Sequence, residues 1–229
     1  MQDFNNKIAV VTGGGTGMGR ELVCQLIAAG AHVAMCDVSA ENMAQTHTLA
    51  SALGQGRLTS HNCDVSSEQD VLRFRDEVAQ QHDTQHINLL FNNAGIAGGG
   101  SVVDIDRQEW ERTFGVCWYG VFYGCTAFMP MLVASDEAHI INTSSVNGFW
   151  ATVGPMTPHS SYSAAKFAVK GFTEALITDL RMNAPHVRCS VVMPGHIGTY
   201  IALNTSAVLG KHSAMELDEE EVADIRERY

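Results

Sequence analysis

The chain has 229 residues, 45% of them hydrophobic, which is enough for one well-buried domain, and no Pro- or Ser-rich linker divides it. Its 14 Lys and Arg against 25 Asp and Glu leave a net charge of −11 with no basic stripe, which argues against nucleic acid as a partner and weakens the case for acidic carriers. Six cysteines without paired metal spacing, no signal peptide and no spanning segment predict reduced thiols in a cytoplasmic protein that does not engage a membrane.

The first element is an apolar run from Ile8 to Val11, which predicts a strand. It leads into Thr12-Gly-Gly-Gly-Thr-Gly-Met-Gly19 and a helical pattern from Met18 to Ala29. Glycine lets the backbone turn tightly and approach a pyrophosphate, whose charge then meets the free N–H groups at the helix start. The spacing Gly13-x-x-x-Gly17-x-Gly19, with Thr16 and Met18 set among the glycines, stands between strand and helix as such a site requires. A second strand, His32 to Asp37, ends in a carboxylate about 20 positions after the turn. There Asp37 would accept hydrogen bonds from the adenosine ribose hydroxyls and repel the extra phosphate of NADP. No Lys or Arg lies in the turn or just after Asp37 to receive that phosphate, so the expected cofactor is NAD.

Further β-branched runs near 58, 88, 139 and 188 alternate with helical stretches. Six such strands predict a parallel sheet covered on both faces, a single-domain α/β fold of the Rossmann-type, doubly wound class over 1–229. His82-x-x-x-His86 has the spacing of a metal pair on a helix but lacks further ligands, and no metal is expected. There is neither a Gly-x-Ser-x-Gly elbow nor a phosphate-loop Gly-Lys-Ser/Thr.

Tyr162 and Lys166 stand four apart in Ser161-Tyr-Ser-Ala-Ala-Lys-Phe, with Ser144-Ser145 upstream. Residues four apart share a helix face, so the lysine ammonium sits beside the phenol and favours its ionised form, which makes the pair a candidate acid/base couple.

With these motifs in this order the chain resembles a short-chain dehydrogenase/reductase. The glycine turn is followed by Cys63-Asp64-Val65, Asn92-Asn-Ala-Gly95, Ser145, Tyr162, Lys166 and Pro194-Gly-His-Ile-Gly-Thr199, and the match spans residues 7 to about 200. The resemblance implies that Asp64 and Val65 contact the adenine, and that Asn92, Ala94 and Gly95 shape the cofactor cleft. It implies that Ser145 polarises the substrate oxygen, Tyr162 exchanges the proton, and Lys166 tunes the tyrosine and holds the nicotinamide ribose. Pro194, Gly195, the Ile197 backbone and the Thr199 hydroxyl would position the carboxamide end. Cys117 stands where the family carries an asparagine that supports the lysine's water-linked proton path. A thiol is a weak hydrogen-bonding group, so the backbone carbonyl there would serve instead, and Cys117 also reads as a small buried apolar residue.

The implied reaction is reversible NAD-dependent oxidation of a secondary alcohol to a ketone. The stretch from Ser145 to Tyr162 exceeds the family length by about four residues, and its Phe149, Trp150, Val153 and Met156 predict a pocket for a hydrophobic, aromatic or bulky substrate. They would equally pack against the fold or a partner subunit. A 3-oxoacyl thioester reductase and a non-catalytic NAD-binding sensor are the alternatives. Residues 196–215 correspond to the substrate-covering segment. The chain ends in a charged amphipathic helix from 216, where the family continues into another strand. Helices over 107–131 and 164–180 resemble the family's subunit contacts, which implies a homodimer or homotetramer.

Overall fold

The computed structural model describes residues 1–98, 100–151, 158–195, 197 and 201–210. Six strands, β1 (Ile8–Thr12), β2 (His32–Asp37), β3 (Leu58–Asn62), β4 (Leu89–Asn92), β5 (Ala138–Thr143) and β6 (Val187–Val192), alternate with α1 (Gly17–Ala28), α2 (Ala40–Ser51), α3 (Glu68–Gln81), α4 (Arg107–Phe114), α5 (Gly120–Val133), α6 (Ser160–Asn183) and α7 (Ile201–Val208). The strands form one sheet, β3-β2-β1-β4-β5-β6, in which every pair is parallel. All six predicted strands are present, and the chain is the predicted doubly wound α/β sheet.

The pleat explains why β1 is buried along its whole length. Its side chains alternate between the two faces. Ile8 and Val10 join Leu90, Ile140, Phe74, Phe128 and Val169 under α3, α5 and α6, while Ala9 and Val11 join Val33, Met35, Ile27 and Met43 under α1 and α2. The sheet winds from β1 to β3 in one direction and from β4 to β6 in the other. Its switch point lies between β1 and β4, and the crevice at their carboxyl ends is where an open α/β sheet receives its ligand.

The helix expected over 107–131 is interrupted. Residues Gly115–Tyr119 form a π-helical turn between α4 and α5, a local widening often found where a helix borders a functional site. Glycine at 120 lets the helix approach the loop after β3, since a Cβ there would lie 2.8 Å from Val65 Cγ2. By length and composition Arg107–Val133 could cross a membrane, but 56% of its apolar window is buried inside this fold, as in a core helix. The His82/His86 spacing does not fall on one helix either: His82 is the C-cap of α3 and His86 lies beyond it.

Candidate active site

The carboxyl end of β1 delivers the glycine turn. Gly13 has φ +68°, and a Cβ on it would lie 2.8 Å from Ala94 Cα, so the turn presses directly on the loop after β4. Gly19 is tighter still, since its Cβ would lie 1.9 Å from the Gly13 carbonyl oxygen. Thr16 occupies the N-cap of α1, yet its hydroxyl makes no bond to the helix's own amides. The amides of the first turn, at Gly17, Met18 and Gly19, are thereby left for an anion. Asp37 ends β2 beside this turn: its Oδ2 accepts the Gly15 N–H at 3.0 Å and its Oδ1 the Ser39 N–H at 3.0 Å. Those bonds fix the carboxylate at the crevice and leave it lone pairs for further donors. A glycine cradle, open helix amides and a fixed carboxylate fit a dinucleotide.

Thr12 and Asn93 tie the turn to β4. The Thr12 hydroxyl accepts the N–H groups of Asn93 and Ala94 at 3.0 and 3.1 Å, and Asn93 Nδ2 donates to the Thr12 carbonyl at 3.1 Å. Arg20, next after Gly19, faces inward and donates to the Gly15 carbonyl at 2.7 and 3.1 Å and to Thr46 at 3.0 Å.

The acid/base candidates meet at the ends of β5 and α6. Lys166 is only 3% exposed. Its Nζ donates to the Thr143 carbonyl at 2.9 Å and lies 5.5 Å from the centre of the Tyr162 ring. Ser145 caps a short 3-10 turn, Val146–Gly148, and its Oγ accepts the Asn147 N–H at 3.2 Å. One residue earlier, the Ser144 hydroxyl donates to the Lys166 carbonyl at 2.7 Å and fastens α6 to β5. Gly148 permits this closeness, because a Cβ there would lie 2.3 Å from Ser144 Oγ. A Cβ built on Gly95 would lie 3.5 Å from Lys166 Nζ and 3.8 Å from Cys117 Sγ, so these three groups surround one spot. Cys117 is buried in the π-helical turn, where its thiol donates to the Ile96 carbonyl at 3.2 Å.

Behind this cluster runs a buried polar ladder. Asn92 Nδ2 donates to Asn142 Oδ1 at 2.9 Å, Asn142 Nδ2 to the Thr173 hydroxyl at 3.0 Å, and that hydroxyl to the Val169 carbonyl at 2.6 Å. Burial pushes the neighbouring Cys125 thiol up to about 12, which keeps it protonated. Asn92 thus braces β4 against β5 with its side chain in the interior.

The adenine-side candidates are held by α4. Burial would raise the Asp64 carboxyl, but hydrogen bonds from Ser66 and the Arg112 guanidinium outweigh it and hold the group below the ordinary carboxylate range. The Arg112–Asp64 contact is 2.5 Å. Val65 turns its side chain into the core. At the other end, the Pro194 carbonyl accepts the Val146 N–H at 3.0 Å, which places Gly195 beside Val146. Ile197 is 48% exposed, and Phe149 and Trp150, beside the 3-10 turn, are 67% and 64% exposed. Thr199, Met156 and Val153 lie outside the described residues, as does the expected helix from 216. Of the segment 196–215, α7 is described: Asn204 bonds to Thr16 in the glycine turn, and Thr205 to Ala97 after β4.

The sequence reading singled out neither Thr12, Asn93, Arg112, Asn142 nor Asn204. Thr12 and Asn93 stand inside motifs already quoted, and Asn142 is a polar residue in the apolar run Ile140-Ile141-Asn142, a pattern that demands a buried partner.

A family model described as short chain dehydrogenase matches residues 7–208. The chain is 39% identical over 211 residues to SadH of Mycobacterium tuberculosis, covering 92% of this chain and 74% of that protein. It is 32% identical over 194 residues to epidermal retinol dehydrogenase 2 of Mus musculus, covering 84% of this chain and 61% of that one. Among solved structures it matches, with a TM-score of 0.84 and 31% identity, a short-chain dehydrogenase/reductase from Burkholderia phymatum in complex with NAD, over 99% of this chain and 79% of that one.

Proposed function

The chain belongs to the short-chain dehydrogenase family, and we propose that it catalyses the reversible NAD-dependent oxidation of a secondary alcohol to a ketone on a hydrophobic, bulky substrate. The observation that carries this reading is that Lys166 Nζ is anchored on the Thr143 carbonyl at the end of β5, two residues before Ser145, and lies 5.5 Å from the Tyr162 ring, while the glycine turn keeps its helix amides open. The bound dinucleotide supplies the hydride in one direction and accepts it in the other.

Everything else falls to the chain's own groups. Ser145 Oγ accepts from the Asn147 amide at 3.2 Å and donates only at 3.5 Å to Asn147 Oδ1, a long contact that a substrate oxygen would displace. Tyr162 exchanges a proton with that oxygen, and Lys166, anchored on the Thr143 carbonyl, is held beside the phenol. Asp37 supports NAD over NADP, because a ribose phosphate would meet its carboxylate while Arg20 is occupied by the Gly15 carbonyl. The exposed Phe149 and Trp150 support an apolar substrate, as does the likeness to a retinol dehydrogenase.

A second copy of the chain is the partner we infer for the band of Trp118, Phe122, Tyr123 and Phe172 on α5, α6 and the turn before them, whose neighbours Tyr119 and Phe167 are 43% and 45% exposed. The six free cysteines support a reducing, cytoplasmic setting.

Aryl secondary alcohols and acyl thioesters, each offered with NAD and NADP in parallel, test the reading. Turnover of the alcohols with NAD is expected, and turnover of thioesters alone or with NADP alone overturns it. Tyr162→Phe should cost about 1000-fold in kcat while NAD binding persists. Retained turnover sinks the mechanism.

A further inference from the structure

We propose that Asn204 orients the Thr16 hydroxyl toward the cofactor's diphosphate, so that docking of α7 and binding of the diphosphate are coupled through one hydrogen bond. This rests on the dinucleotide reading of the crevice. Thr16 has the extended backbone of an N-cap, φ −146° and ψ 173°, yet its hydroxyl does not turn back onto α1. The N-cap side chains of α2, α3 and α4 do so: Ser39 accepts from Asn42 N, Ser67 from Asp70 N, and Asp106 from Gln108 N and Glu109 N. At Thr16 the oxygen accepts instead from Asn204 Nδ2 at 2.7 Å.

A hydroxyl carries a single proton. Since the Thr16 oxygen is the acceptor toward Asn204, that proton is left over, and it meets no acceptor among the described residues. Diphosphate oxygens at the start of α1 are acceptors only. Asn204 therefore does two things at once: it draws Thr16 away from the helix amides, leaving them open, and it presents the hydroxyl as one more donor to the same anion. The bond reports in the other direction too, because a hydroxyl that donates to an anion becomes a better acceptor, which tightens the grip on Asn204.

The neighbouring residue makes the coupling mechanical. Thr205 Oγ1 accepts the Ala97 N–H at 2.7 Å and donates to the Ile201 carbonyl at 2.6 Å. Adjacent residues on a helix point about 100° apart, so α7 holds the glycine turn with one side chain and the loop beyond Gly95 with the next. Val208 and Leu209 pack on the core and complete the docking. A ligand that engages Thr16 thus steadies the helix that covers the other end of the crevice.

ADP-ribose, which has the diphosphate without the nicotinamide, and AMP, which lacks the bridged diphosphate, separate the effect from catalysis. Binding is measured by calorimetry and the docking of α7 by amide hydrogen exchange over residues 201–208. ADP-ribose is expected to slow exchange in α7, and AMP to leave it unchanged. Asn204→Ala should weaken ADP-ribose about tenfold and AMP less than about twofold. Asn204→Asp should weaken ADP-ribose further, about 50-fold, because a carboxylate takes the Thr16 proton and places a negative charge beside the diphosphate. Thr16→Ser should bind like wild type. Thr16→Val should match Asn204→Ala, and the double variant should lose no more than either single one. Exchange in α7 that ignores ADP-ribose, or an Asn204→Asp protein that binds it as well as wild type, overturns the coupling and leaves the NAD reading intact. A wild-type protein that binds neither ADP-ribose nor NAD overturns both.

Discussion

The two halves of the sheet hold their share of the site by different means. On the β1–β2 side the crevice is shaped by backbone, with glycines that admit no Cβ, amides left open, and a carboxylate held by two N–H groups. On the β4–β5 side it is shaped by buried side chains, in the Asn92–Asn142–Thr173 ladder and the Ser144–Lys166 clasp. On the proposed function, the difference follows from what each half would do. A diphosphate is gripped along its length by amides, which every residue supplies, whereas a proton couple needs individual side chains fixed to within fractions of an ångström.

Breaking the backbone half should cost most. Gly19→Ala forces a Cβ to within 1.9 Å of the Gly13 carbonyl, so the turn must move; a loss of about 3 kcal/mol or more is expected in urea unfolding, together with loss of ADP-ribose binding. An edge feature sharpens the comparison, because the outer strand of that same half does depend on side chains. Glu77, His61, Thr59 and His82 form a chain of contacts at 2.7, 2.8 and 2.9 Å between β3 and α3. Burial, then the charge of Arg57, pushes His82 down from 6.5 to about 4. Below about pH 6.5 the unfolded chain takes up a proton there that the native chain refuses until about pH 4, so stability falls across that window, by up to about 3 kcal/mol. Urea midpoints at pH 7 and 4.5 should diverge in wild type and approach each other in His82→Gln. In the β4–β5 half, Asn142→Ala removes the amide acceptor of Asn92 Nδ2 and the donor to the Thr173 hydroxyl, leaving Asn92 Nδ2 only the weak Cys125 thiol, and about 2 kcal/mol is expected. If thermal melts instead show Asn142→Ala to be the costlier of the two half-breaking changes, the division between backbone and side chain fails.

The strands were legible because each is a short β-branched or apolar run between helical stretches, and the glycine turn because its chemistry is local. The ladder was not, since its partners stand 50 and 31 residues apart and nothing near Asn142 announces Asn92 or Thr173. The pairing of Arg112 with Asp64, 48 apart, escaped for the same reason. The helix from 107 read as continuous because the π-helical turn depends on what the helix packs against, and its Gly-Val-Cys-Trp-Tyr sequence contains no proline to mark an interruption. Within the candidate site, the Tyr162 and Lys166 pair could be read from spacing and Ser145 from the family resemblance, but the groups that hold them could not.

The Ser144 hydroxyl on the Lys166 carbonyl makes the serine strand and the lysine helix a single anvil. Under the proposed function, opening and closing of the crevice would then fall to the jaw opposite, at α7, so that ligands entering and leaving would flex the cover while Tyr162 and Lys166 keep their alignment.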